Sequence, residues 1–181
     1  MSRLRPVNPS NAAGKEKELL DIVKSKLGMV PNMTRVMAAS PVVLEAYLGF
    51  SGALASGLLD ARIREELALL TAQQNHCNYC LSAHTAIGKM VGLNHDEIVA
   101  SRGGKGSSPK ATAALAFAKR LLDTKGWISE ADLTTARSAG FSEGEIAEII
   151  AHVALNVFTN YFNNATDVDI DFPKVSHSDI A

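Results

Sequence analysis

Only two of the 181 residues are cysteine. That is too few for a disulfide scaffold, and a chain of this length buries a core without staples. Charge of one sign is also missing. A formal net charge of -1 leaves no basic footprint for nucleic acid or for an anionic membrane surface. No stretch approaches the roughly 18 uninterrupted apolar residues of a membrane span. The opening MSRLRPVNPS lacks the apolar region of a secretory signal, so a cytoplasmic protein is expected. An apolar fraction of 46% with 20% charged residues is that of a soluble globular chain. Strand signals are absent as well, because Pro and Gly fall mostly at junctions and no run alternates in the β-branched manner of a strand. The expected fold class is all-α.

The chain reads as one domain, 1–181. Its N-terminal helices occupy 15–58, a helical pair 60–102, a linker 103–110, C-terminal helices 111–165 and a tail 166–181. A first amphipathic helix over about 15 to 27 sets Leu19, Leu20, Val23 and Leu27 on one side, and Gly28 and Pro31 end it. VPNMTRVMAAS is a short helix, and PVVLEAYLGFSGALASG a longer one with Pro41 in its first turn. Asp60 is placed to cap a helix from 61 to about 75. Asn94 with Glu97, Ser129 with Asp132, and Ser142 with Glu145 have capping-box spacing and mark three more helix starts. RGGKGSSP reads as a flexible linker, and the last helix runs from about 143 to 165. The tail is expected to lie extended over the surface or on a partner subunit.

Both cysteines fall in NHCNYCLSAH, residues 75–84, which also holds two of the five histidines. On a helix, offsets of three and four return to one face, so Cys77, Cys80 and His84 can meet. An offset of three puts Cα atoms about 5 to 6 Å apart, within reach of a reversible disulfide. A helix N-terminus favours a thiolate, and His84 can take the thiol proton. Upstream, Glu65 sits in DARIREELALLTAQQNHC. If that helix packs antiparallel to the motif helix, Glu65 would bring a carboxylate to the cluster. Its neighbour Glu66 competes for the place, and spacing does not choose between them.

Glu65, eleven residues, Cys77, two residues, Cys80, three residues, His84 resembles the signature of AhpD-like alkylhydroperoxidases in the carboxymuconolactone decarboxylase superfamily. LGMVPNM, SPVVLEAYLGF and NVFTNYFNNATDVDIDFP are similar to its peroxidase-related branch. The resemblance covers nearly the whole chain. It implies an AhpD-like multihelical bundle with a helical arm, assembled as a dimer, trimer or hexamer. It also implies thiol-dependent reduction of organic hydroperoxides without a bound cofactor or metal. Cys80 would then attack the peroxide, Cys77 resolve, and Glu65 and His84 relay the proton. An external dithiol, thioredoxin-like or lipoyl-type, would reopen the disulfide. Tyr79 stands where the mycobacterial enzyme has a relay histidine; a phenol is a poor base near neutral pH, so the relay is expected to be shorter.

Other readings use the same residues. Cys77 and Cys80 could be inert buried thiols, or zinc ligands together with His84 and either His76 or Glu65. A disulfide reductase or redox sensor needs only the CxxC pair. His76 is expected to be a cap or surface residue, Tyr79 a packing or hydrogen-bonding neighbour, and His152 a satisfied core histidine. Asn156, Asn160 and Asn163 are assigned no chemistry, and Met29, Met33 and Met37 are read as apolar filler.

Overall fold

Side-chain capping defines most of the helix starts. In a computed structural model, which describes residues 2–179, Asp60 accepts from the backbone N–H of Arg62, and Ser108 accepts from that of Ala111. Asn94, Ser129 and Ser142 each close a reciprocal box with an acidic residue three positions on. These contacts satisfy donors that a helix N-terminus leaves unpaired. Nine helices follow among the described residues: α1 (Gly14–Leu27), α2 (Asn32–Met37), α3 (Pro41–Ala55), α4 (Ala61–Gln74), α5 (Asn78–Met90), α6 (His95–Arg102), α7 (Pro109–Thr124), α8 (Glu130–Ser138) and α9 (Glu143–Thr166). No strand occurs among them. None of the helices is long and apolar enough to cross a membrane.

Helix α4 is the hub. Leu67, Leu69, Leu70 and Ala72 are all buried, so its apolar residues are not confined to one stripe, the pattern of a helix surrounded by others. It packs against α5, α6, α7 and α9. One core joins α4 to α7, α8 and α9 through Leu67, Leu115, Phe117 and Ile149. A second holds α1 to α3 against the start of α5 through Leu20, Val23, Met37, Leu44 and Leu81. Each fully buried leucine contributes about 1.5 to 3 kcal/mol relative to exposure. The two cores meet across α4 and leave a cavity between α3, α4, α5 and α9.

One connecting segment differs from its sequence expectation. The 103–110 stretch is tied down: Ser107 N–H donates to Glu66 Oε1 at 2.6 Å, and Gly106 N–H to Thr112 Oγ1 at 3.1 Å. Gly106 has no room for a side chain, because a Cβ there would sit 2.5 Å from the Ala111 backbone. The reason is that Glu66 is wholly buried and takes its partners from this loop. Through residue 179 the tail lies over the surface of its own chain, one of the two placements expected. Asp171 accepts from Asn32 N–H at 2.7 Å and from the Tyr79 hydroxyl at 2.8 Å. Val175 N–H donates to Ser82 Oγ at 3.0 Å, and His177 N–H to Asn78 Oδ1 at 2.9 Å.

Candidate active site

Consecutive positions on α4 point about 100° apart, and this separates the two carboxylates. Glu66 faces the 101–107 loop, while Glu65 faces α5, where its Oε2 lies 2.8 Å from His84 Nδ1. A carboxylate can only accept, so Nδ1 donates in this pair, and in the neutral ring Nε2 keeps its lone pair. The acceptor side of the imidazole is thereby left to the cavity that His84 lines.

The chain enters α5 through His76, whose φ of 52° reverses the backbone, and Cys77 becomes the N-cap residue. The Cys77 sulfur accepts from Cys80 N–H at 3.3 Å. This is the charge-favouring position expected for a thiolate at a helix start. Cys77 and Cys80 form a disulfide with Cα atoms 5.3 Å apart. Both are buried, but only Cys80 lines the cavity.

That cavity, of about 240 Å³, brings Cys80, His84, Glu65 and Tyr79 together. Tyr79 serves as a strut. Its hydroxyl donates to Asp171 and accepts from Met33 N–H at 3.1 Å, and burial holds its proton well above the ordinary phenol range. A tyrosine so held is no proton acceptor. His76 is exposed and stacks on His177 of the tail, with ring centroids 4.6 Å apart. It is not brought to the cavity. Among the described residues, no group of three His, Cys, Asp or Glu is placed to hold a metal ion.

Helix α9 supplies what the sequence reading missed. Asn163 Nδ2 donates to Cys80 Sγ at 3.2 Å and to Met33 Sδ at 3.2 Å. His152 is buried as expected but not satisfied, since its Nε2 has no hydrogen-bond partner. Asn156 is tied to the His152 carbonyl and Asn160 to Asn75. His152, Asn156, Thr159 and Asn163 follow i, i+4, i+7, i+11 spacing and all line the cavity. Four polar residues at that spacing on one face of a helix were a readable signal.

The sequence pattern of the carboxymuconolactone decarboxylase family matches residues 41–120, which include α4, α5 and both cysteines. A peroxidase-related protein from Ralstonia eutropha, described as an alkylhydroperoxidase AhpD core, has a similar structure. The TM-score is 0.84 at 25% identity over 94% of this chain and 92% of that one. The family match and the two peroxidase-related structures support the AhpD-like carboxymuconolactone decarboxylase superfamily. A peroxidase-related protein from Silicibacter sp. shares the superfamily fold with a TM-score of 0.81 at 25% identity, over 93% and 91% of the two chains. The debrominase Bmp8, solved with 2,3,4-tribromopyrrole, superposes with a TM-score of 0.76 at 20% identity over 93% and 91%. At that identity it speaks to the fold alone. Among curated proteins none matches the chain. The AhpD-like bundle and its CxxC disulfide together fit a peroxidase-related role.

Proposed function

We propose that this protein is a thiol peroxidase that reduces small organic hydroperoxides through reversible closure of the Cys77–Cys80 disulfide. The observation that carries this reading is that Cys80 shares one cavity with a Glu65-held His84. In the reduced enzyme, His84 Nε2 takes the Cys80 thiol proton, and the thiolate attacks the terminal peroxide oxygen. The O–O bond breaks, the departing alkoxide takes the proton from His84 and leaves as an alcohol, and Cys80 becomes a sulfenic acid. Cys77 attacks that sulfur, so water leaves and the disulfide forms. An external dithiol, thioredoxin-like or lipoyl-type, is oxidised in two exchange steps to regenerate both thiols. The cycle requires a reducing pool such as that of the cytoplasm.

Intact mass and a free-thiol count test the proposal on reduced protein, before and after one equivalent of cumene hydroperoxide. Loss of both thiols with a mass drop of about 2 Da is expected. Two thiols that persist would overturn the proposal. Slow oxidation combined with fast exchange with a protein dithiol would make the chain a disulfide reductase.

Assembly into a homo-oligomer belongs to the same proposal. Helix α3 is apolar along most of its length, yet only Leu44 is fully buried, with Val42 74% and Phe50 41% exposed. Such a surface ordinarily marks a protein contact. Light scattering that returns a monomer would remove this part.

A further inference from the structure

The polar stripe of α9 has two ends. At one, Asn163 touches the Cys80 sulfur. At the other, roughly three turns away, stands His152, which is 6% exposed with Nε2 unpartnered. Burial and the nearby positive charge of Arg64 hold this imidazole below its ordinary range, which keeps it neutral. Arg64 lines the same cavity from α4. Its Nη1 donates to the carbonyls of Leu54 and Ala55 at 3.2 and 2.6 Å, closing the end of α3. Its remaining nitrogens make no hydrogen bond to a described residue, and no described carboxylate pairs with it. The acidic groups nearby are engaged: Glu65 holds His84, and Glu148 accepts from Leu58 N–H and Leu59 N–H.

A half-buried guanidinium without an anion, beside a buried imidazole nitrogen without a partner, is an incomplete set of contacts. Unpaired buried polar groups are costly and call for an explanation, and here a bound ligand would satisfy both groups at once. Between the two ends the walls are apolar, formed by residues such as Leu155, Ala68 and Ile87. We propose that Arg64 and His152 form a carboxylate subsite, and that the substrate is a small hydroperoxide with an apolar body and a carboxylate remote from its peroxide. A carboxylate suits the planar donor edge of arginine, and the neutral imidazole donates a third hydrogen bond through Nε2–H. The charges of Glu148 and Glu65 also reach His152, so Arg64 and the imidazole N–H must outweigh them for a carboxylate to seat here. The hydroperoxide part rests on the peroxidase reading above; the carboxylate part rests on Arg64 and His152 alone.

The test therefore uses an unreactive probe. Oxidised full-length protein is titrated calorimetrically at pH 7 with 4-isopropylbenzoate and with the neutral 4-isopropylbenzamide. The benzoate is expected to bind at least about tenfold more tightly. Arg64→Met should erase the preference, and His152→Leu, which leaves the Arg64 bonds to α3 in place, should narrow it. Equal affinities, or a preference that survives in His152→Leu and in a folded Arg64→Met, would overturn the subsite; if Arg64→Met fails to fold, His152→Leu decides. Thiol oxidation by cumene hydroperoxide, which carries no carboxylate, reads the peroxidase proposal separately. A benzoate preference without thiol oxidation would keep the subsite and retire the peroxidase, and oxidation without preference would do the reverse.

Discussion

Replacing Asn163 with leucine removes one donor from the Cys80 sulfur while nearly conserving volume. In the wild type, Nδ2 lies 3.2 Å from Cys80 Sγ inside a site from which water is largely excluded. Once the disulfide is reduced, the same donor faces a thiolate, and a hydrogen bond to a charged group contributes about 1.5 to 3 kcal/mol. Its loss should raise the Cys80 thiol pKa by about 1 to 2 units. At a pH below the wild-type thiol pKa, the thiolate fraction then falls about 10- to 100-fold. A more basic thiolate is a better nucleophile by a factor of about 3 to 10, following a Brønsted slope of about 0.4 to 0.5. The net expectation is peroxide oxidation slower by about 3- to 10-fold at such a pH. Thiolate absorbance against pH gives the pKa, and stopped-flow oxidation gives the rate. Because Asn163 Oδ1 is itself buried without a partner, the leucine variant should be no less stable than the wild type. A folded Asn163→Leu protein with an unmoved thiol pKa would refute the reasoning.

Glu65→Gln keeps an oxygen that can accept from His84 Nδ1 but removes the charge behind it; thiol oxidation should slow about 100-fold, and an unchanged stopped-flow rate at pH 7 would show that the carboxylate only orients the ring. Glu66→Ala deletes the acceptor that anchors Ser107 N–H and should lower stability by about 1 to 3 kcal/mol, read from urea midpoints; an unmoved midpoint would mean that the 103–110 segment holds itself. His152 is neutral in both states above its ordinary value of 6.5, and burial depresses it only in the fold. As pH falls below 6.5 the unfolded chain takes up the proton first, so stability declines toward pH 5. His152→Leu should flatten that decline in thermal melts, and parallel curves for the two proteins would count against it.

Helix boundaries were legible because their causes are local. The boxes at Asn94, Ser129 and Ser142 are written three residues apart, and each needs only backbone geometry to form. RGGKGSSP was misread as flexible because its composition is that of a linker. What orders it is Glu66, 41 residues from Ser107, and no local pattern marks which of two adjacent glutamates turns inward. The contacts that seat the tail are distant in sequence in the same way. Asp171 reaches Tyr79 over 92 residues, a pairing that composition does not carry.

The candidate site divides along the same line. Cys77, Cys80 and His84 share one helix start, where offsets of three and four decide their meeting, and Glu65 lies on the helix just before it. The α9 contribution is 83 residues from Cys80, and periodicity in α5 says nothing of which helix will cover the sulfur. Yet α9 carried its own sign. An apolar helix that spends positions 152, 156, 159 and 163 on polar side chains gives up burial energy along one stripe, at about 0.8 kcal/mol per methylene left out. Asn156 and Thr159 recover part of that locally, through the carbonyls of residues 152 and 156. Asn163 recovers it from two sulfurs. Asn163 Oδ1 and His152 Nε2 recover nothing within the protein, but only His152 shares its end of the cavity with the unpaired guanidinium of Arg64, and that is why the far end is read as the place where a ligand completes the contacts.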